Sequence, residues 1–174
     1  VRPGLFLLVA LIAAGTAAYF VWKQTEARRA ALAQLCAERG WTYTRRDDAW
    51  VARLRGDVPL FRRGNGGRRC DNVIAIPGER PMALFDFSYV ERSGSGKDSR
   101  SRTVRHAVAV VALPHWLPSL RLAGEHVLSR LGSAVGFRDI EVESAEFNRR
   151  FRVAADDRTH AFDILHPQAI EFLM

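Results

Sequence analysis

Three arginine pairs carry the side chains best suited to chemistry in this chain: Arg28-Arg29, Arg62-Arg63 and Arg68-Arg69. A guanidinium is always charged, and its planar fork of donors matches two oxygens of a phosphate. The second and third pairs flank Gly64-Asn65-Gly66-Gly67, where glycines let backbone amides come close to an anion. The chemistry these residues offer is the holding of phosphate, on a lipid headgroup or on nucleic acid. The stretch lacks the interleaved aromatics on which single strands stack. Anionic lipid is therefore the expected contact and nucleic acid the less favoured alternative.

The remaining reactive side chains form no recognisable constellation. Ser93-Gly94-Ser95-Gly96-Lys97 approaches a phosphate loop, but Glu91 stands where its first glycine belongs, and Asp98 replaces the hydroxyl that would bind magnesium. The five histidines, His106, His115, His126, His160 and His166, make no metal-ligand spacing with one another or with cysteine. Asp156, His160 and Asp163 share a helical face, but Ala161, Phe162, Ile164 and Leu165 mark the buried side, so the row reads as a solvated surface. Glu141 and Glu143 fall opposite Ile140 and Val142, as on the exposed face of a strand, with Glu146 just beyond. No Ser-His-Asp or GxSxG arrangement appears. No metal or cofactor is expected, no residue is assigned a catalytic role, and a membrane-tethered hydrolase built from scattered acids and histidines is the remaining enzymatic alternative.

What must position the arginines begins with Pro3 to Trp22, 20 residues without a charge, set between Arg2 and Lys23. As a helix this run spans about 30 Å, the thickness of a bilayer's hydrocarbon core. Thr16-Ala17-Ala18 resembles a signal cleavage site, but the apolar run continues through Tyr19, Phe20, Val21 and Trp22, and its aromatics suit a membrane interface. An uncleaved anchor is the expectation. Lys23, Arg28, Arg29 and Arg39 place the rest of the chain in the cytoplasm by the positive-inside rule. Ala10, Ala14 and Ala18 supply a small-residue spacing through which two anchors can pair, a weak signal for a homodimer.

The charge is distributed to match. Of the net +7, residues 24–69 contribute +6, from 11 arginines against five acids, and residues 70–174 contribute −1. Basicity thus lies beside the membrane, where each cation near an anionic surface is worth on the order of 1 kcal/mol. Cys36 and Cys70 form no metal or disulfide framework. They are free thiols in a cytoplasmic domain, or one bridge in an oxidising compartment.

The organisation expected is an anchor over 1–23, a juxtamembrane helix over 24–40 stopped by Gly40, and one α+β domain over 41–174. That domain is mainly antiparallel with short flanking helices. Strands are expected at Trp41–Thr44 and Val58–Phe61, with a glycine turn over residues 62–69. Asn72–Ile76 and Met82–Arg92 form a hairpin, on which Phe85, Phe87 and Tyr89 share a face. SGSGKDSRSR, residues 93–102, is a polar loop. Thr103–Leu113, nearly continuous in Val and Ala, reads as a central buried strand. Beyond it come a helix at Glu125–Leu131, strands at Ile140–Glu143 and Phe151–Ala154, and helices capped by Ser144, by Asp156 or Asp157, and restarted by Pro167.

Glu143-Ser144-Ala145-Glu146-Phe147-Asn148-Arg149-Arg150-Phe151-Arg152-Val153, continuing to Asp157, Ala161, Leu165, His166 and Pro167, carries a pattern that Phe85-Asp86-Phe87-Ser88-Tyr89 extends upstream. Together they resemble an uncharacterised family of bacterial, largely actinobacterial, single-pass membrane proteins of unknown function, over roughly residues 35–173. That resemblance implies membrane association and assigns no residue a role. Function on this reading is binding or scaffolding at the cytoplasmic membrane surface.

Overall fold

The computed structural model describes residues 3–94, 99–124 and 138–174, with side chains from residue 12 in the first helix and from residue 140 in the last stretch. The helix expected at Glu125–Leu131 and the middle of the 93–102 loop lie outside the described residues. The protein is α+β, and it divides into two compact units, residues 1–114 and 115–174. One sheet was the expectation; the strands instead form two, of four and three strands. Between them the chain runs through Pro114 and Pro118, which cannot donate to a ladder, and the next strand opens a new sheet.

In the first unit, helix α1 runs unbroken from Pro3 to Glu38. It ends where glycine permits a left-handed residue. Gly40 has φ +68°, Trp41 N–H donates to Cys36 O at 2.8 Å, and Gly40 N–H donates to Ala37 O at 3.4 Å. These two bonds satisfy carbonyls that the helix itself leaves open. Among the described residues no helix is long and apolar enough to cross a membrane. The described side chains of α1 start at Ile12, and those of the first part of the apolar run, Ala10 included, lie outside them.

Strands β1 (Thr42–Arg46), β2 (Gly66–Ile76), β3 (Met82–Ser93) and β4 (Arg100–Val111) pair antiparallel in the order β1-β2-β3-β4. Phe85, Phe87 and Tyr89 share one face, as the alternation requires, and bury with Cys70, Val73 and Phe61. Over this face lie Trp50, Val51 and Leu54 of helix α2 (Ala49–Leu54) and Leu60 of a 3-10 turn at Pro59–Arg62. That turn replaces the strand expected at Val58–Phe61, because Pro59 at its first position has no N–H for a ladder.

Two further expectations are corrected by the sheet. Residues 66–69 are not part of a turn but open β2. β4 is an edge strand rather than a central one, and its residues alternate between half-buried and exposed. Its Val104, Val108 and Val110 meet the aromatic core, while Arg105, Ala107 and Ala109 turn to the other face. The central, buried strand is β3.

The second unit packs β5 (Leu120–Gly124), β7 (Phe151–Ala155) and β6 (Arg138–Ile140) in that order, all antiparallel. Helices α3 (Ala145–Arg150), α4 (Arg158–Ile164) and α5 (Pro167–Leu173) complete a core of Ile140, Val142, Phe147, Val153, Ala155, Ala161 and Leu165. Ser144 caps α3 through Phe147 N–H, Asp157 caps α4 through Thr159 and His160 N–H, and Pro167 opens α5. Strand β6 stops at Ile140, short of the expected Glu143. Val142 gives both its backbone groups to the Asn148 side chain, at 3.1 and 2.7 Å, and so leaves the ladder.

Candidate anion-binding cleft

The face of the four-stranded sheet opposite the aromatic core carries polar side chains at Arg69, Asp71, Asp86, Ser88 and Arg105 and apolar ones at Ile74, Leu84, Ala107 and Ala109, and α1 lies along it from Val21 to Leu32. Register decides which side chains meet there. Arg69 pairs with Ser88, and Ser88 with Arg105, so these three form one rung across β2, β3 and β4. The next rung is Asp71, Asp86 and Ala107. Directly opposed residues have Cβ atoms about 5 Å apart, so the two arginines flank Ser88 at roughly 10 Å from each other.

Between this face and α1 lies a cleft of about 500 Å³. Its walls are Val21, Thr25, Arg28 and Arg29 from α1, Arg69, Asp71 and Asn72 from β2, Asp86 and Ser88 from β3, and Arg105 from β4. Four arginines against two aspartates leave an excess of two positive charges among the lining side chains. A shallower groove of about 310 Å³ adjoins it, bordered by Leu32, Ile74, Leu84 and Ala109.

A bulge in β2 builds part of the wall. Asp71 pairs with Asp86 and Ile74 with Leu84, so Asn72 and Val73 share the place opposite Phe85. Asn72 takes the left-handed conformation, φ +53°, which asparagine tolerates better than most residues. Its side chain then bridges two strands: Tyr43 Oη donates to Asn72 Oδ1 at 2.9 Å, and Asn72 Nδ2 donates to Asp86 Oδ2 at 2.7 Å. Burial raises the Tyr43 phenol pKa above its ordinary value, against the pull of Arg29 and Arg45, so the hydroxyl stays a donor.

The cations differ in how firmly they are held. Arg29 lies 2.6 Å from Glu26, which also takes Arg45 at 3.0 Å. Arg28 meets Asp86 at 3.3 Å, and Arg69 meets Asp71 at 3.2 Å and the Ser88 hydroxyl at 3.3 Å. The Arg28 side chain is 64% exposed, so its pair with Asp86 is worth under about 1 kcal/mol and is readily exchanged. Arg105 has no hydrogen-bond or ion-pair partner among the described residues.

Of the six arginines singled out in the sequence, the cleft gathers Arg28, Arg29 and Arg69. The other three serve the fold. Arg62 donates to the carbonyls of Arg55 and Gly56 and closes the end of α2. Arg68 donates to the carbonyls of Arg62, Arg63 and Gly64, and Arg63 reaches the Tyr89 hydroxyl at 3.4 Å. Two of the glycines between them, Gly64 and Gly67, answer to packing. A Cβ on Gly64 would stand 2.5 Å from Tyr89 Cδ2, and one on Gly67 would stand 2.8 Å from Val90 Cγ2.

Arg105 and Ser88 were missed in the sequence because their place depends on the β2-β3-β4 register, although the alternation of Val104, His106 and Val108 already puts Arg105 on the opposite face. His106 stacks on Tyr89 at 5.7 Å, and burial, with Arg63 near, holds its imidazole pKa below the ordinary value. Cys36 and Cys70 are both free and buried, Cys36 on α1 and Cys70 in the aromatic core across the sheet. Burial, with Asp48, Asp47 and Asp71 nearby, pushes the Cys70 thiol to about 12, which removes it as a nucleophile near neutral pH. Among the described residues no three groups of the His, Cys, Asp and Glu types converge to hold a metal ion.

No family model, no curated protein and no solved structure matches this chain.

Proposed function

We propose that this protein is a single-pass membrane protein whose soluble part stands at the cytoplasmic surface and binds anionic groups there, as a binding module rather than an enzyme. One observation carries the reading. The helix that contains the apolar run continues without a break into the wall of the arginine cleft. Thr25 lies about 4.5 Å and Arg28 about 9 Å beyond Trp22 along the axis. Headgroups occupy about 5–8 Å on each side of the hydrocarbon core. A helix that spans with Pro3–Trp22 therefore sets the mouth of the cleft at headgroup level. The alternative of nucleic acid on residues 24–69 draws less support, since Arg62 and Arg68 are committed to backbone carbonyls. A hydrolase draws less still: of the described histidines only His106 lines the cleft, and it is stacked on Tyr89.

Carbonate extraction of membranes holding the full chain, with a reporter fused after Met174, tests this. The reading requires the chain to stay in the membrane pellet and the reporter to be active in the cytoplasm. Release by carbonate would contradict the anchor, and a reporter active only outside would contradict the orientation.

A further inference from the structure

We propose that the rung Arg69-Ser88-Arg105, with Arg28 above it, is a binding site for a terminal, doubly charged phosphoryl group. The inference rests on the membrane-surface reading for its source of ligand, not for its chemistry. Three observations converge on it. Arg105 is a cation on a cleft wall with no partner among the described residues, while every other arginine lining the cleft has one. Ser88 is a polar side chain only 4% exposed at the centre of the rung. Its hydroxyl oxygen accepts from Arg69 Nε, which leaves its proton to donate into the cleft. The lining carries an excess of two positive charges, which matches a dianion.

The geometry favours a tetrahedral group over a flat one. Donors approach from two strands on either side and from the helix above, so three or more oxygens are served from different directions. Arginine forks suit such oxygens better than single-point ammonium donors do. A phosphomonoester presents three terminal oxygens and close to two charges near neutral pH. A phosphodiester headgroup presents two oxygens and one charge, and it leaves Arg105 or Arg28 unused. The aspartates select in the same sense. Asp71 and Asp86, on the sheet, pair with Arg69 and with Arg28 of the helix and repel any ligand too weakly charged to take those cations from them. The same chemistry is found on a phosphatidic-acid-like headgroup and on a soluble phosphate.

The test uses the full chain in phosphatidylcholine nanodiscs. Inorganic phosphate and glycerol phosphate are titrated by calorimetry. In parallel, discs containing phosphatidic acid or phosphatidylglycerol are compared by the lipid retained in native mass spectrometry. Phosphatidic acid is expected to be retained at least about tenfold over phosphatidylglycerol, and Arg105→Gln is expected to lose about tenfold or more of the affinity. Ser88→Ala loses less, and Arg105→Lys restores only part. Binding of the soluble phosphates but not of phosphatidic acid keeps the site and assigns it a soluble ligand. Equal retention of the two lipids with no binding of the soluble phosphates, or an Arg105→Gln protein of unchanged circular dichroism and unchanged affinity, overturns the proposal. Failure of the anchor is read separately: a chain released by carbonate that still binds phosphate through Arg105 loses the membrane and keeps the site.

Discussion

Arg69 and Arg105 stand on one rung of the sheet, two strands apart, with the buried Ser88 between them. Two like charges on one rung stabilise nothing by themselves. Arg69 is answered by Asp71, and Arg105 by no described side chain. Arg105→Gln should therefore leave stability without ligand within about 0.5 kcal/mol of the parent, since it removes an exposed group with no partner among the described residues. Denaturant unfolding of both proteins checks this. A loss of more than about 1 kcal/mol would mean that Arg105 holds the fold.

Gly64 and Gly40 both have positive φ, yet they should respond differently to alanine. A Cβ on Gly64 would meet Tyr89 Cδ2 at 2.5 Å and Val90 O at 2.8 Å, whereas one on Gly40 would meet nothing within 4 Å. Gly40→Ala carries the left-handed backbone cost alone, about 1–2 kcal/mol. Gly64→Ala adds overpacking, for a total of about 2–4 kcal/mol. Equal losses would show that strand β3 yields to the new methyl group.

The amide of Asn148 serves both backbone groups of Val142. Asn148→Ala leaves them without a partner at a partly buried corner and should cost about 1–3 kcal/mol. Asn148→Asp should be worse at neutral pH than in mild acid, because an ionised oxygen would face the Val142 carbonyl where the amide now donates. A protein equally stable at both pH values would contradict this role for the amide.

Cys70 gives a pH dependence whose sign follows from burial. Its thiol is held at about 12 in the fold, above the ordinary value of 9.0. The unfolded thiol loses its proton first as pH rises, so this contribution is fully present below about pH 9 and is lost progressively from there toward 12. At mildly alkaline pH a disulfide reagent should modify Cys70 only as the protein unfolds. Rapid modification of the folded chain would place the thiol at the surface.

Features that depend on a few neighbouring residues were legible in the sequence. The stop at Gly40, the caps at Ser144 and Asp157, the restart at Pro167 and the shared face of Phe85, Phe87 and Tyr89 are all of this kind. Features that depend on pairing were not. A run such as Val108-Ala109-Val110-Val111 is apolar enough for a central strand, and its place at the edge follows only from which strands find partners. Half of the candidate site was concealed in the same way. Arg28, Arg29 and Arg69 share composition with Arg62 and Arg68, and only the folded chain shows that Arg62 bonds to carbonyls at the end of α2 and Arg68 to those of its own loop. Arg105 joins the cleft through register, which one residue of slip would reverse.

The central claim is that the arginine cleft stands at the headgroups because α1 carries it there. Spin labels on Lys23→Cys and Glu38→Cys, in the full chain reconstituted in nanodiscs with the buried Cys36 and Cys70 kept, measure that depth by power saturation. These positions are about 22 Å apart along the helix. The account predicts a label at position 23 near the phosphate level, accessible to oxygen, and a label at position 38 fully in water. Both labels in water, with equal access to a polar relaxation agent, would contradict it.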